Sequence, residues 1–153
     1  MIRAVIFDMF ETLITHYKCP LYFGAQMAAD AGISEKIFQE LWRPTESDRS
    51  IGKIRTEEAG VIRKSILFPY FDKVCLSYEE GVQKPDEEIY RRCMAGLGVA
   101  PEECIYIGDG GSQELETARN IGMNAMQAVW YMDNKKKDFL QLEKPLDVLK
   151  WIR

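Results

Sequence analysis

Apolar residues along the chain fall into short blocks that alternate between two periods. Within Ile2–Phe7, the apolar run Ala4-Val5-Ile6-Phe7 is short, partly β-branched and ends abruptly at Asp8, as in a strand buried on both faces. After a break at residues 17–20, Leu21, Ala25, Ala28 and Ala29 recur at helical spacing until Gly32. Ser34 then stands as an N-cap before a helix striped by Ile37, Phe38, Leu41 and Trp42. Residues 43–55 are polar and weakly patterned and read as a loop or linker. Thr56-Glu57-Glu58 opens a third helix running to about Leu67, and Val74-Cys75-Leu76 reads as a short strand. Pro85 and Asp86 start a helix with the stripe Ile89, Tyr90, Cys93, Met94 and Leu97, stopped by Gly98. Cys104–Ile107 is a strand, Ser112 caps a helix that ends at Gly122, and Ala125–Trp130 is a further strand. Lys135-Lys136-Lys137 reads as a solvated turn, and Leu146–Trp151 as a last amphipathic helix.

This alternation predicts an α/β fold: a mostly parallel sheet with helices on both faces. The 153 residues suit one domain with its own core. A net charge of −4 lacks the global electrostatics of a nucleic-acid binder, and no apolar run approaches the roughly 18 residues of a membrane span. The four cysteines, at 19, 75, 93 and 104, form no CxxC pair, and His16 is the single histidine, which argues against a structural zinc site. With no secretory leader, the chain is expected in the cytoplasm with reduced thiols. A Ser-His-Asp mechanism would have to use His16, so carboxylates, lysine and a metal are the more natural chemistry.

Ligands of such sheets bind beyond the carboxyl ends of the strands. The first strand is followed by Asp8-Met9-Phe10-Glu11-Thr12, the second by Ser77 through Asp86 with Lys84, and the third by Gly108-Asp109-Gly110-Gly111-Ser112-Gln113-Glu114. Two aspartates and a lysine thus converge on one sheet edge. A carboxylate pair can hold Mg²⁺, a lysine can screen a phosphate dianion, and one aspartate can attack phosphorus. Glycines at 108, 110 and 111 let the backbone approach metal or phosphate closely.

Val5-Ile6-Phe7-Asp8-Met9-Phe10-Glu11-Thr12-Leu13 resembles the first motif of the haloacid dehalogenase-like (HAD) hydrolases. Gly81-Val82-Gln83-Lys84-Pro85-Asp86 with Ile89-Tyr90 resembles the third, and Ile105-Tyr106-Ile107-Gly108-Asp109 through Glu114, Ala118 and Gly122 the fourth. Three motifs in order, each at a strand end, are specific where one would not be. The resemblance implies a Rossmann-like three-layer sandwich with Asp8 as nucleophile and Lys84 tying it to the phosphate. It implies Mg²⁺ held by Asp8, the carbonyl of Phe10, Asp109 and Glu114, and substrate contacts from Thr12, Lys84 and Gly110. The implied substrate is a small phosphorylated molecule. The bland readings are a helix cap for Asp8 or Thr56, a dipole-favoured acid for Glu114, a strand end for Ser77 and cap packing for Tyr17, Tyr22 and Phe23.

Two departures from the family pattern matter. Phosphatases of the family carry an acid two residues after the nucleophile, where this chain has Phe10; the dehalogenase branch has an aromatic there but lacks the Gly-Asp kept at 108 and 109. The family's second motif, a strand ending in Ser or Thr, has only the poor candidate Ile51–Thr56, and most of the cap that precedes it is absent. The expected division is a core of residues 1–13 and 56–153 around a truncated helical cap segment, 14–55. Three functions are weighed: a Mg²⁺-dependent phosphomonoesterase, a metal-independent dehalogenase-like hydrolase, and an inactive binding or assembly module. Loss of an interior strand leaves an exposed edge, so a homodimer or an unstable monomer is expected.

Overall fold

The computed structural model describes residues 1–15, 24–53, 63, 65–131 and 133–152. Four parallel strands form one sheet in the order β1 (Ala4–Phe7), β2 (Cys104–Gly108), β3 (Asn124–Ala128), β4 (Leu140–Leu142). Successive side chains of a strand point to opposite faces, and the core divides accordingly. Ala4, Ile6, Cys104 and Tyr106 pack on one face; Val5, Phe7, Ile105 and Ile107 pack on the other. Every residue of β2 is buried because strands flank it and both its faces are covered.

The first face is roofed by two helices. α5 (Glu87–Leu97) is capped by Asp86, whose carboxylate accepts the Glu88 N–H at 2.9 Å, and it buries Ile89, Tyr90, Cys93 and Met94 as the stripe predicts. Gly98 ends it in a left-handed conformation. α6 (Glu114–Asn120) buries Leu115 and Ala118. The second face is covered more thinly, by Val148 of a 3-10 helix over Pro145–Lys150 and by Trp130. The amphipathic stretch expected at 146–151 is thus a 3-10 turn opened by Pro145, and it leaves Leu146, Leu149 and Trp151 exposed.

The preceding segment holds α1 (Gly24–Asp30), α2 (Glu35–Trp42), α3 (Glu46–Ser50) and α4 (Ser77–Glu80). Ser34 caps α2 as expected, accepting the Ile37 N–H at 3.3 Å. Residues 43–50 are not a loop: a 3-10 turn at Arg43–Thr45, begun with Pro44, runs straight into α3. Arg49 lies over the Trp42 ring at 3.6 Å, a local contact that hydrophobic periodicity does not register. His16, Cys19, Tyr17, Leu21, Tyr22, Phe23 and the helix start at Thr56 lie outside the described residues. Among the described cysteines, Cys75, Cys93 and Cys104 are free thiols. No helix among the described residues is long and apolar enough to cross a membrane.

Two further departures set the shape of the site. Leu140–Leu142 is a strand that its short Leu-Gln-Leu alternation did not announce. Val74–Leu76 is not a strand: Leu76 has extended backbone at φ −100° and ψ 129°, but no neighbour among the described residues pairs with the segment. β1 is the edge of the sheet, and a cavity of about 980 Å³ runs between residues 3–8 and residues 70–77. Apolar α5 residues, among them Ile89 and Leu97, line it as well. β1 and the segment at 70–77 therefore flank a gap that no strand among the described residues closes.

Candidate active site

Asp8 leaves the end of β1 with its N–H donated to the Ile107 carbonyl at 2.8 Å. The chain then folds back on itself: Leu13 and Ile14 donate to the Met9 carbonyl, and Glu11 sits at φ 57°. Phe10 is 42% exposed at the cavity, and Glu11 accepts a hydrogen bond from the Thr15 hydroxyl at 2.6 Å. Thr12 is buried beneath this turn. Its carbonyl accepts from Trp130 Nε1 at 2.9 Å, and its hydroxyl finds no partner among the described residues.

Lys84 enters from the loop between α4 and α5. Its ammonium donates to Asp8 Oδ1 and, at 2.6 Å, to Glu114 Oε2. Glu114, the first residue of α6, does not face solvent as a dipole-favoured acid would; it is 1% exposed. Its Oε1 accepts the Gly110 N–H at 3.1 Å, and its Oε2 accepts the Tyr106 hydroxyl at 2.9 Å. Tyr90 donates to the Glu114 carbonyl at 3.3 Å and meets the Tyr106 ring edge-on at 5.2 Å. Gly108 is required here by packing: a Cβ would fall 2.0 Å from Glu114 Oε1.

Asp109 completes the strand end, its Oδ1 accepting the Gly111 N–H at 3.0 Å. Gly110 follows at φ 96°. Ser112 and Gln113 both have positive φ, and neither caps α6 with a side-chain bond, so the capping role expected of Ser112 is not filled. Two strand ends, a loop and a helix start thus bring Asp8, Asp109, Lys84 and Glu114 together at the cavity. Gly110, whose N–H goes to Glu114, and Thr12, buried with its carbonyl held by Trp130, do not line the cavity, so the substrate contacts expected of them are not placed there.

The electrostatics are those of one cation shared by buried anions. Burial would lower the Lys84 pKa, but the carboxylates of Asp8 and Glu114 outweigh it and hold the ammonium well above its ordinary value. Burial pushes Glu114 up to about 7, with Lys84 pulling it back and Asp8 adding to the rise. Burial likewise raises the Tyr106 hydroxyl, which stays a neutral donor. Oxygens of Asp8, Asp109 and Glu114 lie within 4.8 Å of one another, an all-oxygen set that suits a hard divalent cation. Both Glu114 oxygens already carry protein hydrogen bonds, so Asp8 and Asp109 are the better placed to meet a cation directly.

The sequence pattern does not single out Tyr106 and Tyr90 as site residues. The signal was available for the tyrosines: a tyrosine inside a fully buried strand or helix stripe needs a hydroxyl partner, and the nearest buried acid supplies one.

Comparison with known proteins identifies the family of the chain. A model of the haloacid dehalogenase-like hydrolase family matches residues 45–122, and the chain belongs to that family. It is 35% identical over 69 residues to the glyceraldehyde 3-phosphate phosphatase of Pyrococcus furiosus, covering 45% of this chain and 28% of that protein. It is 38% identical over 64 residues to the phosphoserine phosphatase of Thermus thermophilus, covering 42% of this chain and 24% of that one. The matched segment therefore spans about a quarter of the length of these curated relatives. The crystal structure of a HAD phosphatase from Thermococcus onnurineus superposes with a TM-score of 0.71 at 19% identity, over 99% of this chain and 97% of that one.

The buried Glu114 predicts a pH dependence of stability in chelator. A carboxyl whose pKa rises on folding binds more protons folded than unfolded between the two values. Its contribution is therefore full below about 4.5 and is lost as pH rises towards about 7. Urea unfolding in EDTA should show wild type losing stability relative to Glu114→Gln across that window; a pH-independent difference contradicts the assignment.

Proposed function

We propose that the chain is a Mg²⁺-assisted phosphomonoester hydrolase working through an aspartyl-phosphate at Asp8. The observation that carries the reading is the shared Lys84 ammonium, which holds one oxygen of Asp8 beside Glu114 and close to Asp109. Lys84 engages Oδ1, which leaves Oδ2 to attack phosphorus. The Oδ2–P bond forms as the ester P–O bond breaks, and the electron pair departs with the leaving oxygen. Water then attacks phosphorus, the acyl-phosphate bond breaks, and Asp8 is regenerated. A cation held by Asp8 and Asp109, with the Phe10 carbonyl and Glu114 alongside, would supply charge neutralisation of the phosphoryl oxygens. Lys84 adds a second positive charge in a partly dry site, where it counts for more than in water.

The leaving group receives little help. Position 10 is a phenylalanine, and the Glu11 carboxylate is engaged by Thr15. Aryl or acyl phosphates, which depart without a proton, should be preferred over alkyl phosphates. The relatives named for glyceraldehyde 3-phosphate and phosphoserine support a small phosphorylated substrate. p-Nitrophenyl phosphate hydrolysis is expected to need Mg²⁺, to stop in EDTA and to fall by orders of magnitude in Asp8→Asn. Turnover unaffected by Asp8→Asn sinks the reading. Halide release from a 2-haloacid that persists in EDTA would mark attack on carbon instead.

We also propose that the open edge of β1 leads the chain to self-associate as a homodimer. An apolar edge strand beside an unfilled gap is the kind of surface that pairs with another chain. Light scattering is expected to give the dimer mass at micromolar concentration; a stable, folded monomer at high concentration contradicts it.

A further inference from the structure

Gln127 lies in β3, opposite Gly108 in the register, and its side chain is fully buried. A buried amide must find partners, and this one finds three. Its Nε2 donates to the Asp109 carbonyl at 2.8 Å and to the Asn134 carbonyl, while its Oε1 accepts the Lys136 N–H at 2.7 Å. One side chain thus fastens the end of β2 to the loop that follows β3. The loop is held from two more directions. Gln141 donates to the Lys136 carbonyl at 3.2 Å, and the Lys136 ammonium pairs with Glu116 at 2.6 Å.

The fastening bears on the turn that presents Asp109. Gly110 lies directly against the clamp: a Cβ there would stand 3.1 Å from Gln127 Nε2 and 3.1 Å from Lys136 Cε. The same Gly110 offers its N–H to Glu114, and Asp109 is anchored through Gly111. The main chain from 109 to 111 is therefore fixed on one side by Glu114 and on the other by Gln127. Lys136, read from sequence as part of a solvated turn, is drawn inward by this arrangement.

We propose that Gln127 is the positioning residue for Asp109, clamping its carbonyl so that the carboxylate is presented to a divalent cation in a fixed place. The inference rests on the cation reading of the Asp8–Asp109 site. Partners that orient a metal ligand from behind typically change cation affinity 10–100-fold. Gln127→Leu keeps the volume and removes both donors.

The test is binding of Mn²⁺ alone, followed by loss of the free-ion electron paramagnetic resonance signal, with competition by Mg²⁺. Thermal unfolding in EDTA serves as the fold control. Gln127→Leu is expected to weaken Mn²⁺ about 10-fold, whereas Lys135→Ala, in the same loop but outside the clamp, binds as wild type does. Unchanged affinity in a folded Gln127→Leu overturns the proposal, since a purely structural role would lower stability in EDTA without moving the affinity. Wild type that binds no Mn²⁺ overturns the cation reading itself and is distinguishable from that result. Should Gln127→Leu fail to fold, amide exchange of wild type decides. Saturating Mg²⁺ is expected to slow the Lys136 N–H together with that of Gly111. Protection of Gly111 alone overturns the coupling.

Discussion

A single ammonium group, that of Lys84, sits where three segments meet, and the arrangement of the site depends on it. Asp8 comes from the end of the first strand, Glu114 from the start of α6, and Lys84 from the loop ahead of α5. Two carboxylates brought together with little water repel one another, and burial penalises each of them. The lysine offsets both effects at once. Removing one partner of such a set leaves a buried charge uncompensated, which is more damaging than losing an exposed ion pair. The surrounding choices follow from this. Gly108 leaves room for the Glu114 carboxylate, Tyr106 and the Gly110 N–H satisfy its remaining lone pairs, and Tyr90 ties down its backbone.

The sheet gives this cluster a rigid base on one side only. β2 is enclosed by β1 and β3 and by side chains on both faces, so Asp109 projects from the most buried part of the molecule. β1, which carries Asp8, has a paired strand on one edge and a cavity on the other. Asp8 is thus held by pairing of β1 with β2, by the folded-back turn at residues 9–14 and by Lys84, with nothing strand-like beyond among the described residues. That asymmetry links the chemistry to assembly: a chain filling the gap beside β1 would also brace Asp8.

Much of this was legible in the sequence because each part has a local signature. The apolar run before Asp8, the Pro-Asp start and Gly stop around α5, and the Gly-Asp after β2 all depend on near neighbours in the chain. Convergence of Asp8 and Asp109 follows from placing each at a strand end in a parallel sheet, whereas Lys84 reaches them from a loop between two helices and not from the strand end expected of it. What was illegible depends on distant partners. Val74–Leu76 has strand composition, but being a strand requires a neighbour, and none is present among the described residues. Residues 43–50 look like a linker because Arg49 stacking on Trp42 leaves no periodic trace. Gln127 reads as a polar residue in a strand, and its role emerges only once the fold sets Asp109 on one side of it and Lys136 on the other.

The central claim is that Asp8 carries the phosphoryl group during turnover. Its most direct test is to quench the reaction with acid during hydrolysis of an aryl phosphate, treat the protein with borohydride, and map the peptides by mass spectrometry. The expected result is conversion of Asp8, and of no other acid, to homoserine, the product of reducing an acyl-phosphate. Recovery of unmodified Asp8 alongside a reduced Asp109, Glu114 or Glu11 would contradict it.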